Sequence, residues 1–181
     1  GAGGFRRNAA GEPLRLELMT TAGNRTRELI QQVIQGQWRK LGIETVIRNE
    51  PPRVFFGETT SKRRFTGLAL FAWISSPENV PRSTLHSQEI PTAANNYAGQ
   101  NYTGYASRKM DDLIEKIEVE LDRETRKGLW RQQQELYLED LPVLPLYFRA
   151  DVFVMPKWLK GVTPTGHQNV STLWIEHWRA E

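Results

Sequence analysis

The residues of this chain that could do chemistry are few, and their spacing argues against most of it. The three histidines, His86, His167 and His177, lie far apart. None has the i, i+4 spacing that would put two metal ligands on one helical turn, so they read as surface or loop residues. Serine, histidine and aspartate all occur, but no G-x-S-x-G elbow does. No Walker loop or G-x-G-x-x-G turn is present either. Gly99-Gln100-Asn101 and Thr103-Gly104 are too irregular to cradle phosphate. Asp111 and Asp112 open a helix, where carboxylates face the positive end of its dipole; that is a structural use, not an acid–base pair. With no cysteine among 181 residues, disulfides, thiol catalysis and thiolate metal sites are excluded. The expectation is no enzyme, no metal and no cofactor.

Aromatic and polar residues offer more. Trp73 ends the apolar run TGLALFAW (66–73) and faces the loop that begins ISSPENVP. An indole at the C-terminal end of a sheet strand, at the mouth of a polar loop, suits ligand recognition. Burial in the core is the even alternative. Where the strand leaves the sheet, the backbone groups of Trp73, Ile74, Ser75 and Ser76 are freed from ladder bonds. They can grip a polar ligand while the ring covers its apolar part. The stretch NYAGQNYTGYASRKMDDLIEKI (95–116) sets an open polar-aromatic loop directly against an amphipathic helix. Asn101 and Tyr105 are its candidate ligand contacts. The plainer reading, a solvated loop before a helix cap, stays open. Trp38 and Trp130 fall on helix stripes and read as core. Trp158, Trp174 and Trp178 read as packing anchors, with exposed docking residues as the minor alternative.

The elements that must position these residues are legible from period and punctuation. LRLELMT (14–20) alternates and reads as a strand. Asn24 is an N-cap, and Leu29, Ile30, Val33, Ile34, Trp38 and Leu41 form one helical stripe over 25–41. Gly42 is a natural stop, and IETVIRN (43–49) is the next strand. Short connections favour a parallel pair with a right-handed crossover. Pro52 can start a short helix through RVFFGE. TGLALFAW should be a strand buried on both faces. From Ile74 to Ala106 no period is sustained, and a loop this long is usually functional or covered. Ser107 caps a helix with Met110, Leu113, Ile114, Ile117 and Leu121 inward. Asp122 opens another to about Glu139, with Leu129, Trp130, Leu136 and Tyr137 inward, and Pro142 ends it. VLPLYFR, DVFVMP and STLWIEHW (171–178) are further strand candidates; Pro145 makes the first an edge or crossing strand.

Composition bounds the class. Hydrophobic residues are 39% and charged residues 25%, ordinary for a globular domain with a real core. A net charge of +3, from 24 basic and 21 acidic residues, is too balanced to argue for nucleic acid. The KRR run at 62–64 reads as a solvated face or turn. No apolar run approaches a membrane span. GAGGFRRNAAGE lacks the apolar core of a signal peptide, so residues 1–10 read as a tag or cut linker and the chain as a fragment.

In this order the pieces resemble the later part of an ABC-transporter solute-binding protein of family 5, the oligopeptide- and dipeptide-binding type. GEPLRLELMTTAGNRTRELIQQVIQGQWRKLGIETVI resembles the strand–helix–strand that starts its large C-terminal lobe, with the LGI signature at Leu41 to Ile43. FTGLALFAWISSPENVP resembles the strand ending in Trp before a ligand-facing loop. QNYTGYASRKMDDLIEKIEVELDRETRKGLWRQQQELYLEDLPVLPLYF resembles the paired helices and the segment returning across the hinge. WLKGV resembles a late element before the terminal strand.

The resemblance implies an α/β lobe, a mixed sheet flanked by helices, of a type II-like periplasmic binding protein. Residues 11–181 would be that C-terminal lobe, with about 142–181 returning toward the N-terminal lobe. Such proteins close two lobes on a peptide or other small polar solute and deliver it to an ABC permease, outside the cytoplasm, without covalent chemistry. Peptide binders of the family carry an acidic residue three positions after the Trp, paired with the peptide's amino terminus. Here that position is Ser76, and Glu78 is out of register, so solutes other than peptides stay open. An isolated lobe would bind weakly and tend to self-associate through its cleft face. The alternative from another class is a protein–protein interaction module that docks through exposed aromatics.

Overall fold

A computed structural model describes residues 4–74, 76, 79–148, 150, 152–166 and 169–181. They divide into two compact units. The larger is Gly1–Ala72 with Pro81–Pro142, and the smaller is Trp73–Val80 with Val143–Glu181.

In the larger unit β1 (Arg15–Thr21) and β2 (Glu44–Glu50) flank α1 (Arg25–Lys40) in sequence. The strands pair in parallel, Arg15 opposite Glu44 through Thr21 opposite Glu50. The helix starts where the sequence supplies a cap: Asn24 Oδ1 accepts the Arg27 N–H at 3.1 Å. It stops at Gly42, whose φ of +77° is left-handed. A side chain there would also crowd the backbone nitrogen of Arg6, which donates to Gly42 O at 2.7 Å. Arg6, within the segment expected to be a tag or linker, is thus docked beside the start of β2.

The stripe on α1 is only partly covered. Ile30, Ile34 and Trp38 are half-buried, while Leu29, Val33 and Leu41 stay exposed. The one fully enclosed side chain on α1 is polar, Gln31. Its Nε2 donates to Leu18 O at 2.9 Å, and Gln35 Nε2 donates to Thr45 O at 2.8 Å. Two amides therefore fasten the helix to the strands through carbonyl lone pairs that the ladder leaves over.

α2 (Pro52–Val54) runs straight into a wider, π-helical stretch, Phe55–Thr60. Phe55, Phe56 and Phe71 stack edge to face in all three pairs, with ring centres 5.0, 6.0 and 5.7 Å apart. This cluster lies beside β3 (Leu68–Ala69), which pairs in parallel with β1. The strand expected over 66–73 is shorter than predicted and not buried on both faces, since Leu68 is 44% exposed. Its only neighbour among the described residues is β1, in the order β2-β1-β3.

The stretch 74–106, expected to be irregular, holds α3 (Arg82–Leu85) and single 3₁₀ turns at Ser87–Glu89 and Ala93–Asn95. α4 (Arg108–Val119) buries Met110, Leu113, Ile114 and Ile117 as expected. Leu121 does not join them; it is 96% exposed because the helix has ended at Val119. α5 (Arg123–Asp140) is capped by Asp122, whose carboxylate accepts the Thr125 N–H at 2.8 Å. That bond holds the carboxyl below the usual aspartate range. Leu136 and Gln133 are its buried residues, with Leu129, Trp130 and Tyr137 half-buried. No helix among the described residues is long and apolar enough to cross a membrane.

The smaller unit has little regular structure. β4 (Leu159–Lys160) pairs antiparallel with β5 (Arg179–Ala180). Parallel and antiparallel pairing thus both occur, in separate sheets. Trp174 stacks on His177 with ring centres 6.3 Å apart. The strands expected in VLPLYFR, DVFVMP and STLWIEHW are not formed among the described residues. Val143–Phe148 joins no ladder, and the last stretch holds a turn and a 3₁₀ turn at Ile175–His177. Alternation can mark a strand, but only a neighbour can complete its hydrogen bonds. Leu144, Leu146, Tyr147, Trp158 and Trp174 are correspondingly exposed.

Candidate functional site

The predicted site residues fall into both units. In the larger unit the ladder after β3 ends at Leu70, whose N–H donates to Met19 O at 2.8 Å and whose carbonyl accepts from Thr20 Oγ1 at 2.6 Å; the smaller unit begins three residues later, at Trp73. Trp73 is 44% and Ile74 51% exposed. The choice left open for the indole, core or surface, is thus answered toward the surface within this unit. Ser76 is exposed, and its carbonyl accepts the Asn79 N–H at 3.1 Å. Ser75 lies outside the described residues, as do Glu78 and His167.

In the larger unit the loop Asn95–Tyr105 is built around buried polar groups. Thr92 and Asn95 cap each other reciprocally at its start. Gly99 sits at φ +91°, and a Cβ there would collide with the Glu89 carbonyl, so only glycine fits. Asn101 is completely buried. Its Nδ2 donates to His86 O at 3.1 Å and Tyr105 O at 2.8 Å, and its Oδ1 accepts from Thr103 Oγ1 and the Tyr105 N–H, both at 3.1 Å. All four hydrogen-bonding positions of the amide are used inside the loop. The side chain expected to touch a ligand is instead the one that holds the loop's shape.

Tyr105 is half-buried and its hydroxyl donates to Asp140 at the end of α5. Burial first, and then the bond to Asp140, push the hydroxyl up from 10.0 to about 12. The neutral form is the one the fold favours. Its contribution to stability is therefore fully present below about pH 10 and is lost as pH rises toward about 12. In an absorbance titration of tyrosinate, Tyr105→Phe is expected to remove a late-ionising tyrosine. An unchanged high-pH limb would contradict the assignment.

The basic run at 62–64 is not merely solvated. Lys62 pairs with Glu58 at 2.7 Å and lies 5.9 Å from the centre of the Tyr97 ring. Arg64 reaches the same carboxylate at 3.4 Å, and Arg63 Nε donates to Tyr102 O at 3.3 Å. Phe71 and Tyr102 rings, 6.2 Å apart, join the loop to the aromatic cluster. The turn and the loop thus brace one another.

His86, expected to be a surface or loop residue, is 1% exposed. It follows α3 and is packed by polar partners on α4. Its Nε2 lies 3.2 Å from Glu115 Oε1, and its Nδ1 accepts the Gln88 N–H at 3.2 Å. Asp111 accepts both the N–H of Ser87, at 2.9 Å, and its hydroxyl. Arg82 grips Glu118 through Nε at 2.8 and 3.0 Å. No local signal announces this, since the histidine and its α4 partners are separated in sequence by a loop without period. No group of three or more histidine, aspartate or glutamate side chains among the described residues is placed to hold a metal.

Comparison with known proteins gives one consistent set of relatives. Oligopeptide-binding protein OppA of Bacillus subtilis is 28% identical over 138 residues, which is 76% of this chain and 24% of that protein. Dipeptide-binding protein DppE of the same organism is 35% identical over 69 residues, 37% of this chain and 13% of that protein. The crystal structure of the oligopeptide binding protein from Thermus thermophilus, complexed with pentapeptide, matches with a TM-score of 0.77 and 35% identity. It covers 90% of this chain and 29% of that one. AppA from Bacillus subtilis, in complex with a nonapeptide, shares the fold with a TM-score of 0.75 at 24% identity, over 99% of this chain and 34% of that one. The chain thus spans about a quarter of the length of OppA. No protein-family model matches it.

Proposed function

We propose that this chain, a relative of the oligopeptide- and dipeptide-binding proteins of family 5, forms one lobe of a receptor that captures a small polar solute for an ABC importer. The observation that carries the reading is the match to the pentapeptide-complexed protein across 90% of this chain. The role is binding and delivery rather than covalent chemistry, performed in the periplasm or at the outer face of the membrane, with the permease as partner. Residues after about Pro142 run toward the other lobe, which supplies the second half of the cleft.

The ligand-facing group is Trp73, Ile74, Ser75 and Ser76. An exposed indole and an exposed isoleucine, four and five residues past β3, offer apolar cover beside backbone donors and acceptors. Within the larger unit, Asn101 holds the shape of the loop Asn95–Tyr105, and Tyr105 is tied to Asp140. The solute is a peptide or another small polar molecule. Ser76 is neutral and cannot balance an ammonium group at that position, so a ligand without a buried amino terminus there suits this chain better.

Calorimetric titration of the full-length protein with short peptides, free and N-acetylated, and with other small polar solutes tests the reading. At least one class should bind, and Trp73→Ala should weaken it by about 1–3 kcal/mol through lost aromatic burial. A full-length protein that binds none of them, or a folded Trp73→Ala variant with unchanged affinity, would overturn it.

A further inference from the structure

We propose that His86 is a proton-operated latch on the loop Asn95–Tyr105. The ring's two nitrogens have different partners. Gln88 N–H can only donate, so Nδ1, 3.2 Å away, must accept. The proton of the neutral ring is then on Nε2, where it donates to Glu115 at 3.2 Å. In this state every hydrogen-bonding position of a ring closed off from water is satisfied.

A second proton has to enter at Nδ1. Its N–H would then point at the Gln88 N–H, donor against donor, and that bond is lost. A carboxylate acceptor, Asp111 Oδ1, stands 3.8 Å from Nδ1. Asp111 is already taken by the N–H and hydroxyl of Ser87. The imidazolium therefore competes with Ser87 for Asp111, and the turn Ser87–Glu89 must reshape.

Charge around the ring makes this a two-state device. Asp111, Glu115 and Glu118 face it from α4, and Glu89 lies in the adjoining turn. Arg82 on α3 opposes the added charge, although its guanidinium is held by Glu118 and, at 3.9 Å, by Glu115. The carboxylates accommodate the imidazolium, while the neutral ring alone keeps the Gln88 bond.

The turn and the loop are joined without slack. His86 O accepts from Asn101 Nδ2, and Glu89 O accepts the Asn101 N–H at 3.0 Å. Gly99 packs so closely on the Glu89 carbonyl that no side chain fits between them. Moving the turn therefore moves Gly99 and Asn101. The latch assumes nothing about the solute, so its failure and the failure of the transport reading are separable.

The test is a nuclear magnetic resonance titration of the whole chain between about pH 8 and 5, the range in which histidines ordinarily change charge. The His86 imidazole carbons and the amides of Gln88, Gly99 and Asn101 should shift with one common midpoint. At equal intrinsic exchange rate, protection of the Gln88 and Asn101 amides, which donate to His86 Nδ1 and Glu89 O, should fall at least about tenfold on the acid side. In His86→Gln their common transition should vanish. Imidazole titration with the three amides unmoved would overturn the latch. So would a loop transition that persists in His86→Gln, or a ring that gains no proton before the protein unfolds. If His86→Gln does not fold, the coincidence or disagreement of the wild-type midpoints decides the matter.

Discussion

Phe55→Ala is expected to lower the unfolding free energy by about 3–5 kcal/mol, the range for emptying a phenylalanine site in a packed core. Phe55 is fully enclosed and is the largest such side chain in the described structure. It stands edge to face with both Phe56 and Phe71. The site is poorly placed to collapse around a methyl group. Phe55 lies on the π-helical stretch and its carbonyl is pinned by Thr60 Oγ1 at 2.8 Å, so its own backbone cannot follow the cavity inward. Phe56 provides the control. It is 37% exposed, so Phe56→Ala should cost clearly less. Urea denaturation monitored by far-ultraviolet circular dichroism reads both variants. A Phe55→Ala loss under about 1 kcal/mol, or one equal to that of Phe56→Ala, would show that the cluster is not the core of the larger unit.

Asn101→Ala should be comparably severe, at about 3–4 kcal/mol, for an electrostatic reason. Removing the amide strands the Tyr105 carbonyl, and it leaves the His86 carbonyl with the Glu89 N–H alone and the Tyr105 N–H with Thr103 Oγ1 alone at 3.3 Å. The stranded carbonyl costs about 1–3 kcal/mol, the further lost hydrogen bonds contribute about 1 kcal/mol each, and shared relaxation keeps the total below the sum. Asn101→Asp separates the two halves of the amide. It keeps the acceptor for Tyr105 N–H and Thr103 but turns a lone pair toward both carbonyls, so it should destabilise by a similar amount. Hydrogen exchange should show lost protection from Asn95 to Tyr105 in both variants, while the amides of α1 keep theirs. Loop amides that remain protected in both variants would show that the loop is held by something other than this side chain.

Much of this architecture is written locally. Asn24, Ser107 and Asp122 each cap the helix that follows because one short side chain reaches a backbone N–H three residues on, an interaction complete within a single turn. The parallel pair around α1 and the buried stripe Met110, Leu113, Ile114 and Ile117 follow from period and from connection length. The order of these pieces was enough to indicate the relatives that comparison returns. Candidate ligand residues were legible only in part. A Trp ending an apolar run marked Trp73, but the same pattern allowed burial or exposure.

What the sequence by itself determined, then, is where helices begin, which strands flank α1, and that one indole ends the apolar run containing β3; these rest on neighbours a few residues apart. Tertiary structure alone decided the roles that depend on distant partners. It placed Asn101 inside the loop as its holding amide, through His86 fifteen residues earlier. It buried His86 against Asp111 and Glu115, 25 and 29 positions away, where loop composition suggested a surface. It left Leu29, Val33 and Leu68 exposed and, among the described residues, Leu144–Phe148 outside any ladder. An apolar or alternating pattern states what a residue can do when a neighbour arrives. Only the folded chain decides whether one does, because a ladder bond or a buried contact belongs to two segments at once.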